Sequence, residues 1–308
     1  MSELLSAYQF IALENLPLLR ERLLAVARRL GLKGTVLLAP EGINFSVGGA
    51  EPDLKIWLDT LATDYGIAGL IINRQPVEAV PFLRLKVRIR QEIITFDPYL
   101  DPGVAQTGEA LEPAGWHALL ESGRAQLVDT RNDYEVAIGT FRNAANPGID
   151  SFTEFGPWAL KTLDPEQPVA MFCTGGVRCE KASAWLLAQG FQQVYHLRGG
   201  ILSYMRARQG RHSLWQGECF VFDDRVSVDR SLKPSGRVVC AGCRRPHEGL
   251  PADGMPRVDE AGDCRLCGEH FEPARLSGIR ERVRQIALAR ARGASHLGPQ
   301  PEPEEWTN

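Results

Sequence analysis

A short loop containing two adjacent glycines constrains this chain more than any other feature of its sequence. Residues 168–172 form an apolar run that predicts a buried strand, and residues 180–189 show the pattern of a helix. The loop between them reads Cys173-Thr174-Gly175-Gly176-Val177-Arg178, with Cys179 directly after it. A strand that passes through a tight loop into a helix is the unit of a parallel α/β sheet, in which ligands bind beyond the carboxyl ends of the strands. The loop therefore predicts such a sheet, with a ligand site at Cys173.

The residue types in this loop predict a reactive thiolate. Two glycines allow successive backbone N–H groups to converge on one point, and the start of a helix adds partial positive charge there. Arg178 adds a full positive charge, and the thiolate is the reactive form of cysteine. We therefore predict that Cys173 is the nucleophile and Arg178 its electrostatic partner, while the other loop residues contribute backbone N–H donors. A buried, unreactive core thiol is the less favoured alternative.

The spacing of cysteine and arginine bears on the chemistry of the loop. Arg178 lies five residues after Cys173, one position closer than in the C-x5-R loop of cysteine phosphatases. A tighter loop favours a sulfur-sized group over a phosphate. Cys179 occupies the sixth position, and two roles for it stay open. It could attack an adduct on Cys173 as a resolving thiol, or it could simply pack in the core.

Strand and helix patterns divide the chain into modules. Residues 1–96 show the order β-α-β-β-α-β, which is that of a ferredoxin-like α+β sandwich. Prolines and a glycine in residues 97–103 indicate a linker. Residues 113–212 have the pattern of an α/β domain with a parallel sheet. Cysteine pairs and a basic helix characterise residues 213–292, and the Gly-, Pro- and Glu-rich residues 293–308 predict a disordered tail.

Two basic segments are candidates for contact with nucleic acid, although the net charge of −3 gives no global signal for it. Residues 82–90 alternate strictly, so one strand face carries four cations: Arg84, Lys86, Arg88 and Arg90. Residues 275–292 form a helical pattern in which six arginines and one glutamate give a net charge of +5, with Arg280 and Arg284 as candidate contacts. For both segments a solvated protein surface is the competing interpretation.

The seven cysteines do not fit a disulfide framework, because their number is odd and four of them form two C-x-x-C pairs. Twenty residues separate the pairs, a spacing that is typical of structural zinc sites. We predict a small zinc-ribbon-like extension with these four ligands: Cys240, Cys243, Cys264 and Cys267. His247 or His270 could replace one ligand, and four reduced thiols without metal are the alternative.

Four stretches of the sequence resemble known proteins. Residues 128–135 (VDTRNDYE), together with the Cys173 loop, resemble a rhodanese domain. Residues 34–44 (GTVLLAPEGIN), 173–182 (CTGGVRCEKA) and 217–225 (GECFVFDDR) resemble more narrowly the bacterial rhodanese-containing tRNA uridine hydroxylases. The resemblance covers roughly residues 5–270.

This resemblance implies an acylphosphatase-like, RNA-binding N-terminal domain and a central rhodanese domain. It implies oxygen-dependent hydroxylation of the wobble uridine, position 34 of tRNA, to 5-hydroxyuridine, with molecular oxygen as co-substrate and tRNA as partner. It further implies that Cys173 is essential and that Asp129 and Arg131 support the loop.

Two rival functions stay open on sequence grounds. The first is a sulfurtransferase that works through a persulfide on Cys173, because it would use the same loop. The second is a non-catalytic RNA-binding scaffold, against which the intact Cys173 and Arg178 argue.

Other cofactor and location signals are weak in this sequence. No G-x-G-x-x-G fingerprint follows a strand, and we identify no flavin, nicotinamide or iron site. The spacing of His270 and Glu272 is treated as a coincidence. The sequence shows neither a membrane-spanning apolar run nor a secretion signal, so a cytoplasmic protein is expected. The oligomeric state and the means of oxygen activation stay open.

Overall fold

The computed structural model describes residues 2–100, 102–103, 105–240, 243–248, 259, 261–264 and 268–292, except for the side chains of residues 286 and 290. The chain divides into two compact units. The first comprises Met1–Val221 and Val228–Lys233, and the second comprises Phe222–Ser227 and Pro234–Asn308. Among the described helices, none is long and apolar enough to cross a membrane.

The first unit begins with a five-stranded sheet and two helices, and the predicted order β-α-β-β-α-β is confirmed. Helix α1 spans Leu16–Arg29 and helix α2 spans Glu51–Tyr65. The strands are β1 Ser2–Phe10, β2 Lys33–Ala39, β3 Gly42–Ala50, β4 Ile71–Val77 and β5 Leu85–Ile89. Their order in the sheet is β4-β1-β3-β2-β5, with β5 parallel to β2 and the other pairs antiparallel.

Both helices pack an apolar stripe against this sheet. In α1 the buried residues Leu19, Leu23 and Ala27 recur every four positions, which places them on one face of the helix. In α2 the fully buried Trp57 contacts Phe45 of strand β3 edge to face, with ring centroids 6.0 Å apart. The burial of these stripes holds the sandwich together.

Two strands of this sheet differ from the sequence prediction. The strand expected at residues 68–72 is β4, which lies further along at Ile71–Val77. It contains Asn73 and Gln75, polar residues that are only 2% exposed, so apolar periodicity could not find it. The strand expected at residues 82–90 is the shorter β5, so Arg84 and Arg90 flank the strand rather than belong to it.

The rest of the first unit is an α/β domain with an all-parallel sheet in the order β6-β10-β9-β7. Its strands are β6 Glu109–Leu111, β7 Gln126–Asp129, β8 Gly139–Phe141, β9 Val169–Phe172, β10 Val194–Leu197, β11 Trp215–Gly217 and β12 Cys219–Phe220. Its α-helices are α3 Pro113–Ser122, α4 Asp133–Val136, α5 Phe155–Thr162, α6 Val177–Ala188 and α7 Gly200–Ala207, and a 3-10 turn spans Phe152–Glu154. The predicted parallel sheet is confirmed; the sequence indicated three of its four strands and missed β6.

Strand β9 lies in the middle of this sheet and is buried on both faces. Met171 packs with residues of α5 and α6, such as Phe155 and Leu186. Phe172 points to the opposite face and packs with Trp116 of α3 and Ile201 of α7. Because helices cover both faces of the sheet, every residue of the strand is apolar. This continuous apolar run is the pattern from which the strand was predicted.

The second unit holds small strands and one long helix. Strand β13 spans Ser227–Val228, at the boundary of the two units, and strands β14 Val238–Val239 and β15 Pro246–His247 pair antiparallel. Helix α8 spans Pro273–Ala291 and packs Leu276 and Ile279 beside the buried cysteines of this unit. The tail predicted for residues 293–308 lies outside the described residues.

Candidate active site

The predicted nucleophile lies where a strand, a loop and a helix meet. Cys173 directly follows strand β9, and helix α6 begins at Val177, so Arg178 and Cys179 are in its first turn. Gly176, the residue before the helix, has φ +104°, a conformation that favours glycine. The glycine therefore lets the chain turn sharply enough for the helix N-terminus to face the sulfur of Cys173.

The sulfur of Cys173 is surrounded by hydrogen-bond donors. The N–H of Gly176 donates to Cys173 Sγ at 3.1 Å, and the N–H of Cys179 donates to the same atom. The thiol of Cys179 donates a third hydrogen bond to it. The cysteine is only 2% exposed, while Thr174, Gly175 and Val177 are partly exposed. The loop is therefore the side from which a substrate can approach.

These contacts favour the ionised form of Cys173. Burial opposes ionisation, but the hydrogen bond from the Cys179 thiol and the positive charge of Arg178 act against burial. Together with the two backbone N–H donors they lower the pKa of Cys173 to about 6. At neutral pH the thiol is therefore mostly a thiolate, the reactive form.

Arg178 is fixed by an acidic residue. Its Nη1 donates to Glu135 Oε2 at 2.8 Å, and the Glu135 side chain is fully buried. Glu135 also lies 3.5 Å from the hydroxyl of Thr174 and closes a capping box with Asn132 at the start of α4. Glu135 thus connects the residues 128–135 stretch to the loop, a role that was not predicted from the sequence.

Cys179 differs from Cys173 in its ionisation. Burial, and then its hydrogen bond to Cys173 and the charge there, raise the pKa of Cys179 well above its ordinary value. Its sulfur also lies 3.3 Å from the hydroxyl oxygen of Thr130. The site thus contains one thiolate and one thiol in direct contact.

The predicted supporting residues form their own buried pair. Arg131 binds both carboxylate oxygens of Asp129, at 2.8 and 2.7 Å, and donates to the carbonyl of Gly139. Thr140 donates to the same carboxylate at 2.8 Å. The pair fixes the chain that follows β7, and the structure gives it no direct hydrogen bond to Cys173. Its contribution to the site is therefore through the backbone.

The N-terminal sheet contributes a side chain that the sequence analysis missed. Tyr8 of strand β1 donates from its hydroxyl to Glu180 Oε2 at 2.8 Å. A Cβ atom placed on Gly176 would lie 3.0 Å from the same hydroxyl. Burial and the nearby Glu180 carboxylate raise the pKa of Tyr8, with a further contribution from the charge of Cys173. The tyrosine therefore lies beside the loop as a neutral hydrogen-bond donor.

A buried cluster of charges joins the same two domains. Lys181 Nζ lies 2.6 Å from Glu41 Oε2 and 2.7 Å from Glu92 Oε1, and the lysine side chain is fully buried. Burial raises the pKa of Glu41 while its bonds to Lys181 act to lower it. Glu41 also accepts the N–H of Ile93 at 2.7 Å.

Helix α7 supports the loop from the other side. The N–H of Ile201 donates to the carbonyl of Cys173 at 2.9 Å, and that of Leu202 donates to Thr174 at 3.2 Å. Gly200 permits this approach, since a Cβ there would lie 2.5 Å from the Cys173 carbonyl oxygen. Asn73 of β4 in turn donates to the carbonyl of Gly199 at 2.9 Å.

The predicted basic residues are divided between the two units. Arg88 and Arg90 are exposed, whereas Arg84 and Lys86 are partly buried. Arg280 and Arg284 are exposed on α8 in the second unit, and Arg284 pairs with Glu281 at 2.9 Å. A further basic site in the first unit, an open cavity of about 470 Å³, was not predicted from the sequence. Four cations line it: Arg208, Arg211, Arg230 and Lys233.

The cysteine pairs converge in the second unit. The sulfur atoms of Cys240, Cys243 and Cys264 lie within 4.8 Å of one another and all three residues are buried. His247 Nε2 lies 3.2 Å from Cys243 Sγ. Sulfur ligands of one zinc ion lie about 3.8 Å apart, so the three thiols fit this metal. The fourth predicted ligand, Cys267, lies outside the described residues.

A second group of possible metal ligands does not fit a cation. The ligand atoms of His117, Glu121 and His212 lie within 4.8 Å of one another. However, Arg208 Nη2 lies 2.7 Å from His117 Nε2, and Arg208 Nε donates to the carbonyl of His212. The guanidinium thus takes the position that a metal would need.

Comparison with known proteins defines the family. A family model described as UPF0176 acylphosphatase like domain matches residues 2–93, and a rhodanese-like domain model matches residues 113–207. A curated protein of Albidiferax ferrireducens named tRNA uridine(34) hydroxylase is 42% identical over an alignment of 314 positions, which covers 99% of this chain and 98% of that protein. This chain belongs to the tRNA uridine(34) hydroxylase family. The resemblance stated from the sequence is confirmed, as is the predicted fold class.

Segments of the chain are also similar to solved structures. A rhodanese-like domain protein from Staphylococcus aureus is 29% identical with a TM-score of 0.28, over 31% of this chain and 90% of that chain. An acylphosphatase from Coxiella burnetii is 16% identical with a TM-score of 0.24, over 28% of this chain and 93% of that chain. Membership of the tRNA uridine(34) hydroxylase family rests on the full-length relative.

Proposed function

We propose that this member of the tRNA uridine(34) hydroxylase family hydroxylates uridine 34 of tRNA at ring carbon 5, using molecular oxygen, and that Cys173 carries out the reaction. The observation that supports this role most strongly is the contact set of the Cys173 sulfur: two backbone N–H groups, the Cys179 thiol and the charge of Arg178. A relative with 42% identity over its full length carries the corresponding name.

The thiolate has a chemical task in such a reaction. Addition of Cys173 to carbon 6 of the uracil ring would place electron density on carbon 5, the carbon that receives oxygen. In this proposal Arg178 holds Cys173 ionised until the base arrives, and Glu135 holds Arg178 in place. Loss of the carbon-5 proton and departure of Cys173 as a thiolate would then restore the double bond between carbons 5 and 6.

Contact with tRNA is proposed at cationic surfaces. The cavity lined by Arg208, Arg211, Arg230 and Lys233 has no acidic residue among its lining residues. It adjoins the end of helix α7, whose first residues contact the Cys173 loop. Eight helical residues span about 12 Å, so phosphates near the modified nucleotide are within reach. Further candidates for contact with tRNA are Arg88 and Arg90 on the N-terminal domain and Arg280 and Arg284 on α8. Because tRNA is the proposed substrate, we also propose a cytoplasmic location.

We also propose that residues 1–96 are the RNA-binding domain and that residues 113–212 are the catalytic domain.

We further propose that the extension formed by residues 213–292 holds a structural zinc ion. The three buried sulfurs would hold the metal, with Cys267 or His247 as the fourth ligand. Elemental analysis of the purified protein tests this. About one zinc per chain is expected, falling at least fivefold in Cys240→Ser but not in Cys219→Ser, whose thiol is not part of the cluster. A zinc content unchanged by Cys240→Ser would contradict the proposal.

The function is tested by mass spectrometry of tRNA nucleosides from cells with and without the gene. Derivatives of 5-hydroxyuridine should disappear without the gene and return with the wild-type copy or with Cys219→Ser, but not with Cys173→Ser. Unchanged 5-hydroxyuridine in the deletion strain would remove the proposal.

A sulfurtransferase is the second candidate, because the C-x4-R loop is sized for a sulfur group. Rapid formation of thiocyanate from thiosulfate and cyanide, together with unchanged 5-hydroxyuridine in cells, would favour it. Full function with Cys173→Ser would instead favour the non-catalytic scaffold.

A further inference from the structure

The active site contains two thiols where nucleophilic addition requires one. Cys173 and Cys179 are buried in the same core cluster, and the Cys179 thiol donates a hydrogen bond to the sulfur of Cys173. Cys179 is in the first turn of α6, so the loop brings the two sulfurs together across five intervening residues. Cys219, the third cysteine of the first unit, is buried beside the same loop, where its sulfur contacts the carbonyl of Phe220 and the side chain of Thr174 rather than the other two sulfurs.

The second thiol allows the active site to supply electrons that the reaction requires. Inserting one atom of molecular oxygen into a carbon–hydrogen bond leaves the other atom to be reduced to water. That reduction takes two electrons and two protons from a donor. This requirement holds if the proposed hydroxylation is correct, and the inference rests on it. A pair of thiols that closes to a disulfide yields two electrons.

We propose that Cys173 and Cys179 together are the two-electron donor of the reaction and form a disulfide in each turnover. The carbon-5–hydrogen bond and the oxygen–oxygen bond break, and a carbon-5–oxygen bond forms. One sulfur–sulfur bond forms, and the second oxygen atom leaves as water. Oxygen gains four electrons, two from uracil and two from the thiols.

The second oxygen atom takes up two protons to become water. Cys173 starts as a thiolate, so the thiol of Cys179 supplies one proton and solvent supplies the other. The net reaction joins uridine, oxygen, one thiolate, one thiol and one proton to give 5-hydroxyuridine, water and the disulfide. A dithiol reductant, either a small molecule or a redox protein, then restores both thiols by exchange.

The protonation states of the two cysteines and the exposure of the loop agree with this role for Cys179. The residue stays protonated beside the Cys173 thiolate, so it can deliver a proton where the second oxygen atom is reduced. The partly exposed loop residues Thr174 and Gly175 leave a path by which a reductant can reach the disulfide. Thiol–disulfide exchange is fastest when the leaving thiol has a low pKa, which is the property of Cys173.

A single-turnover experiment tests the inference. The full-length enzyme is reduced with dithiothreitol, freed of reductant without oxygen, and mixed with unmodified tRNA transcript in oxygenated buffer. Acid quenching, alkylation and mass spectrometry then count disulfides and 5-hydroxyuridine. We expect one 5-hydroxyuridine and one Cys173–Cys179 disulfide per chain, with further product only after dithiothreitol is added. Omitting tRNA should lower the disulfide yield at least tenfold.

Two variants sharpen the result. Cys179→Ser should lose product formation at least 100-fold while Cys173 still reacts with iodoacetamide, which separates electron supply from folding. Cys219→Ser removes a neighbouring thiol but leaves the pair intact, and the serine hydroxyl can keep the contact with Thr174, so this variant should match the wild type. Product beyond one per chain with both thiols intact, or wild-type turnover in Cys179→Ser, would overturn the inference but leave the hydroxylase proposal standing. No 5-hydroxyuridine from the wild type, with or without dithiothreitol, would overturn both.

Discussion

Lys181 Nζ lies 2.6 Å from Glu41 Oε2, and this ion pair joins the two longest sequence stretches on which the family resemblance rests. Glu41 belongs to the turn between β2 and β3 of the N-terminal sheet, and Lys181 lies two residues after Cys179 in α6. The pair therefore fixes the first turns of α6, which carry Arg178 and Cys179, against the neighbouring domain.

Replacing Lys181 with methionine should destabilise the protein strongly. Two buried carboxylates, Glu41 and Glu92, would lose their cation, and breaking a buried charge cluster costs about 3–5 kcal/mol. Burial already raises the folded-state pKa of Glu41 and Lys181 acts to lower it, so without the lysine this pKa rises further above the unfolded value and the loss of stability should shrink as the pH falls toward about 4.3. Urea unfolding at several pH values measures this. Lys161→Met, at an exposed lysine of α5, should change the unfolding free energy by less than about 0.5 kcal/mol; an equally small change for Lys181→Met would contradict the prediction.

Replacing Arg178 with glutamine should make Cys173 less acidic. An opposite charge within a few ångströms shifts a pKa by about 1–3, and here the arginine charge is among the effects that lower the thiol pKa. We expect the midpoint of the iodoacetamide rate against pH to rise by about one to two pH units. Arg142→Gln, at an exposed arginine of the same unit, is the matched control. An unchanged midpoint in Arg178→Gln would mean that the guanidinium does not stabilise the thiolate.

Two glycines allow the loop geometry to be tested separately from backbone strain. Gly176 has φ +104° and Gly190 has φ +93°, at opposite ends of helix α6. Alanine at either position should lower the free energy of unfolding by a similar amount, about 1–2 kcal/mol, because its Cβ atom disfavours a positive φ. Only at Gly176 does the added Cβ meet another side chain, the Tyr8 hydroxyl, while nothing lies within 4 Å at Gly190. Thermal unfolding should show comparable losses, whereas formation of 5-hydroxyuridine should fall at least tenfold in Gly176→Ala alone. Equal activity in both variants would exclude a special role for this turn.

The basic cavity should contribute to tRNA affinity. A double variant, Arg230→Glu with Lys233→Glu, replaces two cations that line it. Binding measured by fluorescence anisotropy should weaken at least tenfold, and the slope of log Kd against log salt should fall by roughly 1 to 2, since fewer counterions are released. The control, Arg124→Glu with Lys161→Glu, makes the same charge change at exposed positions. If both double variants weaken binding equally, the effect is one of net charge and the cavity has no specific role.

Local residue chemistry predicted the centre of the catalytic domain. Strand β9 is a continuous apolar run, Gly176 permits the sharp turn after it, and Arg178 supplies a positive charge. Cys173 and its loop could therefore be predicted from residues that are adjacent in the sequence. Helix α1 was equally readable, because its buried residues recur at one spacing.

Contacts between distant segments could not be predicted in the same way. Tyr8 is 172 residues from Glu180, and nothing in the pattern of β1 distinguishes it from an ordinary sheet residue. Strand β4 could not be predicted from apolar periodicity, because Asn73 and Gln75 are buried polar residues. Asn73 donates a hydrogen bond to the carbonyl of Gly199 in the other domain. The basic cavity was missed because it combines residues from the end of α7 with residues 230–233, which only the fold brings together.

The most direct test of the account is the acidity of Cys173 itself. The rate of alkylation by iodoacetamide, followed by mass spectrometry at residue 173 between pH 4 and pH 10, reports the fraction of thiolate. Because the thiolate reacts and protonation removes it, the rate should be high above a midpoint near pH 6 and fall as the pH drops through it. A midpoint at about 8.5, the value of an unperturbed cysteine, would contradict the central role given to this sulfur.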